Sequence, residues 1–183
     1  HYGHFVGDAA IRECARIFGD ISDGEAGIYR LGGDEYAMMI GGPVAGTLLE
    51  GLCRRIIERL AKPIHVEDRR LTLGASIGLA RSTTQDFVPS SELLRRADIA
   101  MYAAKRGGKM RCTWFSSALD RSREKLQEMD DELRRSLAEG QFRLHYQPLV
   151  DSSTRTINAV ECLLRWERPD GARIGPSTFI PVA

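Results

Sequence analysis

The chain of 183 residues has almost no net charge: 26 Lys and Arg stand against 25 Asp and Glu, leaving +1. Without a global field of either sign, nothing draws the whole molecule to nucleic acid or to an anionic membrane, and any phosphate chemistry has to be local. Long apolar runs are lacking as well. Charge or glycine interrupts each run well short of the ~20 residues that span a bilayer, and no charged-then-apolar signal segment opens the chain. No C-x-x-C pair occurs. Cys14, Cys53, Cys112 and Cys162 are scattered, three of them inside apolar patterns, which predicts buried thiols in a reducing compartment and argues against disulfides or zinc. His1 and His4 lie close together without a third ligand, so no metal pair is expected there. No internal repeat is present. The chain begins at His1, not at an initiator Met, and stops at Ala183 directly behind an apolar segment, so the expectation is a piece of a longer protein.

What is present is globular composition, 43% hydrophobic and 28% charged, sufficient for a core. Ala10, Ile11, Cys14, Ile17 and Phe18 recur at helical spacing and predict a helix over 7–19 with Asp8 in its first turn. Gly27–Leu31 and Glu35–Ile40 are β-prone runs around Gly32-Gly33-Asp34, which reads as a hairpin with a tight, glycine-dependent turn. Leu48 to Leu60 carry a second helix ended by Pro63, and 71–80 reads as one strand. A third helix starts at Ser90 or Ser91 with Glu92 nearby and ends at Gly107-Gly108; a closing strand follows near 111–115.

From Ser116 to Glu139 charges surround a narrow stripe of Leu119, Leu126, Met129, Leu133 and Leu137. That is a charged helix suited to joining two domains or pairing with a partner helix, stopped by Gly140. Beyond it, 142–146 and 156–166 are strand-like around a turn at 151–154. The expected organisation is a first α/β domain over 1–115, a linker helix over 116–140 and the opening of a second domain over 141–183.

Two adjacent carboxylates behind two glycines, at a hairpin tip, are hard to explain by packing. Gly32 and Gly33 let phosphates approach the backbone, while Asp34 and Glu35 are suited to holding Mg²⁺ or accepting a proton from an attacking hydroxyl. An acidic, solvated turn is the plain alternative. Lys105 and Lys109 fall at the end of the third helix, where cations also simply complement the helix dipole. Asp8 near a helix N-terminus has the same double reading.

The run Arg30-Leu31-Gly32-Gly33-Asp34-Glu35-Tyr36, preceded by Tyr2-Gly3-His4-Phe5-Val6-Gly7-Asp8 and followed by Ala97 to Lys109, closely resembles the GGDEF family of diguanylate cyclases. The resemblance covers about residues 1–115. It implies a palm-like, ferredoxin-like α/β fold with an antiparallel-rich sheet and flanking helices, condensing two GTP into cyclic di-GMP with release of pyrophosphate. It implies Asp34 as a Mg²⁺ (or Mn²⁺) ligand and Glu35 as a helper of the metal site or of 3′-hydroxyl deprotonation. Asp8 would accept from the guanine edge, and Lys105 and Lys109 would neutralise the β and γ phosphates. Each domain presents one GTP, so a homodimer is implied, through these domains and the linker helix. Three departures stand out. The family's first strand, with a further metal-binding Asp and a guanine-contacting Asn, belongs upstream of His1, so these residues alone are expected to be inactive. Lys109 replaces the usual Arg and Tyr36 the usual Phe. The product-feedback motif would fall at Asp23 and Ala26 and is not present.

Leu144 to Val150, Ala159 to Trp166 and Gly175 to Ala183 resemble the opening of an EAL cyclic di-GMP phosphodiesterase, a (β/α)₈ barrel, with the signature reading Glu161-Cys162-Leu163. This implies Glu161 as a Mg²⁺ ligand, Arg165 on a phosphate of cyclic di-GMP and Gln147 beside the ligand. Pairing of Glu161 with Arg165, or with solvent, is the plain alternative. A barrel needs ~250 residues, so this opening alone is expected to lack phosphodiesterase activity. The leading expectation is a cytoplasmic enzyme of cyclic di-GMP signalling, with any membrane anchor of the parent outside these residues. The alternatives are a silent GTP-binding module that controls the phosphodiesterase, or a dimerisation scaffold.

Overall fold

The computed structural model describes residues 3–66 and 69–182, which divide into two compact units, His1–Asp120 and Arg121–Ala183. The first contains α1 (Gly3–Ser22), β1 (Ala26–Gly32), β2 (Glu35–Ile40), α2 (Gly46–Ala61), β3 (Ile64–Val66), β4 (Arg69–Leu71), β5 (Ile77–Leu79), α3 (Ser90–Arg106) and β6 (Cys112–Trp114). The division falls inside α4 (Ser117–Ala138). The second unit adds β7 (Phe142–Val150), β8 (Ile157–Glu167), β9 (Arg173–Ile174) and α5 (Pro176–Phe179). The mixed α/β class follows the sequence reading. No helix among the described residues is long and apolar enough to cross a membrane.

The core of the first unit joins Val6, Ala10, Ile17 and Phe18 of α1 to Ile56 and Leu60 of α2 and to Ile64 and Leu71 of the β3–β4 hairpin. The β1–β2 hairpin lies against this cluster with one face. Strand alternation sends Ile28, Tyr36 and Met38 inward and leaves Tyr29 and Met39 on the open side. Helix α1 begins four residues before the expected start, because the apolar spacing continues upstream through Val6. Asp8 is consequently a second-turn residue, and no acidic residue occupies the first turn.

Of the expected strand over 71–80, only Leu71, the last residue of β4, and Ile77–Leu79, as β5, are strand. Between them the chain passes the end of α2, where the Leu73 N–H donates to the Leu60 carbonyl at 3.1 Å instead of to a ladder partner. Strands β5 and β6 pair in parallel, Ile77 with Cys112 and Leu79 with Trp114. Parallel pairing needs a crossover, and α3 supplies it. Helix α3 packs so closely on β5 that Gly78 has no room for a side chain. Its N-cap is Pro89 without a side-chain cap, so the expected serine cap is not formed. Glu92 instead accepts from Arg95 at 2.7 Å and from Arg96 at 2.9 Å, and these guanidiniums hold its carboxyl down at about 2.

In the second unit, α4 ends in a Schellman turn. The Gln141 N–H reaches the Ser136 carbonyl at 2.9 Å and the Gly140 N–H reaches Leu137 at 3.2 Å, with Gly140 at φ 66°. Met129 and Leu133 of the predicted stripe pack with Trp166 and Phe179, joined by Phe142, Leu164 and Ile174, while Leu137 stays exposed. Strands β7, β8 and β9 form an antiparallel sheet.

The β7–β8 turn is held by Asp151. Its carboxylate accepts from Ser153 Oγ at 2.5 Å and from the N–H groups of Ser153 and Thr154 at 2.8 and 3.0 Å, which lowers its pKa from 3.8 to about 2. A depressed folded-state pKa means that this support is complete above the ordinary value and is lost as pH falls through about 2. Carboxyl ¹³C shifts should therefore show Asp151 titrating near the bottom of that window, with Ser153 and Thr154 amide protection lost alongside. A midpoint near the ordinary carboxylate value would exclude the turn as its cause.

Candidate functional site

The hairpin tip is built by a two-residue loop. Arg30 pairs with Tyr36 and Gly32 with Glu35, and the register shift between them leaves Leu31 as the bulged residue. Gly33, the first loop residue, has φ 52°, the left-handed conformation that two-residue hairpins require there and that glycine adopts without penalty. A Cβ at Gly32 or Gly33 would meet nothing within 4 Å, so the glycines face open space. Asp34 and Glu35 are exposed. Neither carboxylate has an ion-pair partner among the described residues. The nearby Arg30 turns its guanidinium to the backbone, donating to the Gly33 carbonyl from Nε at 3.1 Å and Nη2 at 2.9 Å.

The tip is docked on α1 by Tyr36. Its hydroxyl donates to the Ile11 carbonyl at 2.7 Å, and its ring meets Phe18 edge-on at 5.2 Å. The hydroxyl that distinguishes Tyr36 from the expected Phe is thereby satisfied, one turn after Asp8. Burial raises its phenol pKa. Tyr36→Phe is expected to cost ~0.5–1.5 kcal/mol of unfolding free energy. A denaturant melt checks this, and a variant of equal or greater stability would show the bond to be without net value.

Asp8 is exposed on α1. Lys105 lies in the last turn of α3, with Arg106 beside it, and Lys109 follows in a left-handed loop, with φ 60° at Lys109 and 49° at Met110. Both lysines are exposed and have no carboxylate partner among the described residues. The unit thus presents free carboxylates at the hairpin tip and free ammoniums at and just after the end of α3, the two kinds of group that a metal–polyphosphate needs. The donor set at the tip is hard oxygen and suits Mg²⁺. Among the described residues no three His, Cys, Asp or Glu side chains gather into a metal-binding group, so Asp34 and Glu35 would supply part of a coordination shell.

In the second unit, Gln147 stands directly opposite Glu161, and Arg165 lies on the same face opposite Arg143. Four residues of strand separate Glu161 from Arg165, roughly 13 Å. No ion pair joins them among the described residues, and the Arg165 guanidinium donates to the Leu164 carbonyl at 3.1 Å. The two are aligned on one face and not paired. Cys162 lies on the opposite, more apolar face and is exposed. Cys53 is buried, Cys14 and Cys112 are half-buried, and all four are free thiols. Burial pushes the Cys53 thiol up to about 12. His1, considered above for a metal pair, lies outside the described residues.

The sequence reading gave Arg30 no role. Its only trace there is an arginine three residues before a left-handed glycine, within reach of that residue's carbonyl.

Comparison with known proteins matches the family described as diguanylate cyclase, GGDEF domain, over residues 1–111, and the EAL domain over residues 130–183. An uncharacterized protein of Mycobacterium tuberculosis is 36% identical over 183 residues, all of this chain and 29% of that protein. The bifunctional diguanylate cyclase/cyclic di-GMP phosphodiesterase MucR of Pseudomonas aeruginosa is 35% identical over 186 residues, covering 100% of this chain and 26% of MucR. Among solved structures, the GGDEF domain of YfiN from Pseudomonas aeruginosa superposes with a TM-score of 0.59 at 27% identity, over 63% of this chain and 71% of that one. The chain spans less than a third of the length of these curated relatives.

Proposed function

The chain belongs to the GGDEF diguanylate cyclase domain family over residues 1–111 and continues into the start of an EAL domain at 130–183, and from that membership we propose that, in the whole protein, its first unit condenses two GTP into cyclic di-GMP and pyrophosphate. The observation that carries the reading is the hairpin tip, where two glycines open to solvent precede two carboxylates that no cation among the described residues neutralises. Asp34 would hold Mg²⁺ or Mn²⁺, with Glu35 assisting the metal or taking the 3′-hydroxyl proton. The ion supplies neutralisation of the charge that develops on the α-phosphate. Lys105 and Lys109 draw in the β and γ phosphates, and Asp8 accepts from the guanine edge.

Attack by a 3′-hydroxyl on an α-phosphate asks for in-line positioning and charge neutralisation more than for covalent help. One unit offers one nucleotide, so the two-fold product calls for two copies facing each other. Exposed Leu137 on α4 gives a second copy one apolar contact. In the second unit, Gln147, Glu161 and Arg165 share the face that would meet cyclic di-GMP and a metal once the remaining barrel is present.

A second reading, a GTP receptor without turnover that governs the EAL part, is favoured by the short donor set at the tip. One experiment separates the readings: the full-length protein is incubated with GTP and Mg²⁺ and its nucleotides are chromatographed. Cyclic di-GMP with pyrophosphate establishes the cyclase. Bound, unconverted GTP establishes the receptor, and no rise in melting temperature with Mg²⁺·GTP leaves a dimerisation scaffold.

A further inference from the structure

We propose that Arg30 is a positioning residue for nucleotide binding: by clamping the Gly33 carbonyl it turns the Asp34 N–H outward to donate to a phosphate oxygen of the nucleotide. The inference rests on the reading of the hairpin tip as the GTP site.

Peptide geometry carries the first step. All peptide bonds among the described residues are trans, so the carbonyl of Gly33 and the N–H of Asp34 point in opposite directions across one rigid plane. Arg30 holds that carbonyl with two donors, at 3.1 and 2.9 Å, which fixes the plane as a single hydrogen bond would not. The Asp34 N–H then faces away from the guanidinium. It has no acceptor among the described residues, nor has the Gly33 N–H, and open space lies beside both glycines. Two unpaired, adjacent N–H groups in a turn with a left-handed residue are donors of the kind that backbone anion sites use.

The second step concerns charge. An arginine beside two carboxylates ordinarily pairs with one of them. Here the guanidinium is committed to a neutral carbonyl, and no ion pair joins it to Asp34 or Glu35 among the described residues. The carboxylates stay open to a cation while the N–H groups stay open to an anion. A lysine could neutralise charge at this place but could not grip one carbonyl with two donors held in a plane. Arg30 is exposed, so its replacement leaves the packed core alone.

The test uses the full-length protein and its Arg30→Gln and Arg30→Lys variants, with Mg²⁺·3′-deoxy-GTP as a probe that binds but cannot condense. Affinity is read by titration calorimetry, and amide exchange of the peptide spanning 31–36 by mass spectrometry, with and without probe. For the wild type, binding with slowed exchange of that peptide is expected. Both variants should keep the melting temperature, bind about tenfold more weakly and lose the probe-induced slowing, with Lys no better than Gln. Wild-type affinity in Arg30→Gln, with or without faster exchange in the free protein, would reduce Arg30 to a turn brace and overturn the inference. Full rescue by Arg30→Lys would make it a charge effect and overturn it as well. If the wild type does not bind the probe, the GTP reading itself fails, and the nucleotide role of Arg30 fails with it.

Discussion

Gly78→Ala is expected to abolish cooperative folding of the first unit. A Cβ on Gly78 would lie 1.9 Å from the Ala97 carbonyl oxygen and 2.4 Å from the Met101 nitrogen, and both are backbone atoms of α3. No rotamer change can relieve such an overlap, so the helix has to back away from β5. That retreat lifts Ile99, Ala100 and Ala104, all at most 2% exposed, out of their contacts and opens the crossover that joins β5 to β6. Overpacking alone costs ~1–3 kcal/mol. Adding the lost helix contacts, we expect more than ~4 kcal/mol, in the range that unfolds marginal domains. A thermal melt by circular dichroism reads the result. Gly46→Ala is the control, because its nearest neighbour is the tip of the Arg81 side chain at 3.1 Å, which can swing aside. A Gly78→Ala protein melting like the control would show that α3 does not lie against β5 as described.

Asp34→Asn in the full-length protein should cut cyclic di-GMP formation at least ~100-fold, the scale on which removal of one stabilising group at a developing charge is felt. The substitution preserves shape and removes one negative charge. Because Asp34 is exposed and makes no ion pair among the described residues, its surface change should move stability by less than ~0.5 kcal/mol. Activity lost at constant melting temperature is thus the expected signature. Unchanged turnover would remove Asp34 from the proposed metal site. Loss of turnover together with loss of stability would instead assign Asp34 to the architecture of the turn.

The turn was legible in the sequence because its demand is local: the Gly33 conformation excludes most residues, and the glycines announce it. The ends of α3 and α4 were legible for a similar reason, each closing at a glycine. The parallel pairing of β5 with β6 was not, since Ile77 and Cys112 are joined only through the α3 crossover and no local period records a partner that distant. The run 71–80 was read as one strand because its apolar alternation persists where the ladder does not, the Leu73 N–H donating to a carbonyl of α2 instead. Asp8 was placed a turn too early because the sequence before it holds no Ser, Thr, Asn or Asp to mark an earlier start, while the apolar spacing runs on to Val6. For the proposed site, Asp34, Glu35, Lys105 and Lys109 were named through the resemblance to the GGDEF family. The Arg30 clamp was not legible, since a side chain bonded to backbone leaves no periodic trace.

The β7–β8 ribbon has one further consequence. Its aromatic packing sits at one end, where Phe142 stacks on Trp166 at 5.5 Å and Phe179 closes on both rings, and burial along β8 rises from exposed at Ile157 to complete at Trp166. A two-stranded ribbon gains little stability from its ladder alone, so the cost of opening each successive pair depends on its distance from that aromatic end. In the chain of 183 residues taken by itself, the ribbon is expected to unzip from its tip, and native-state exchange would record a ramp, with amides near Val160 released by small fluctuations and those beside Trp166 only when the whole unit unfolds.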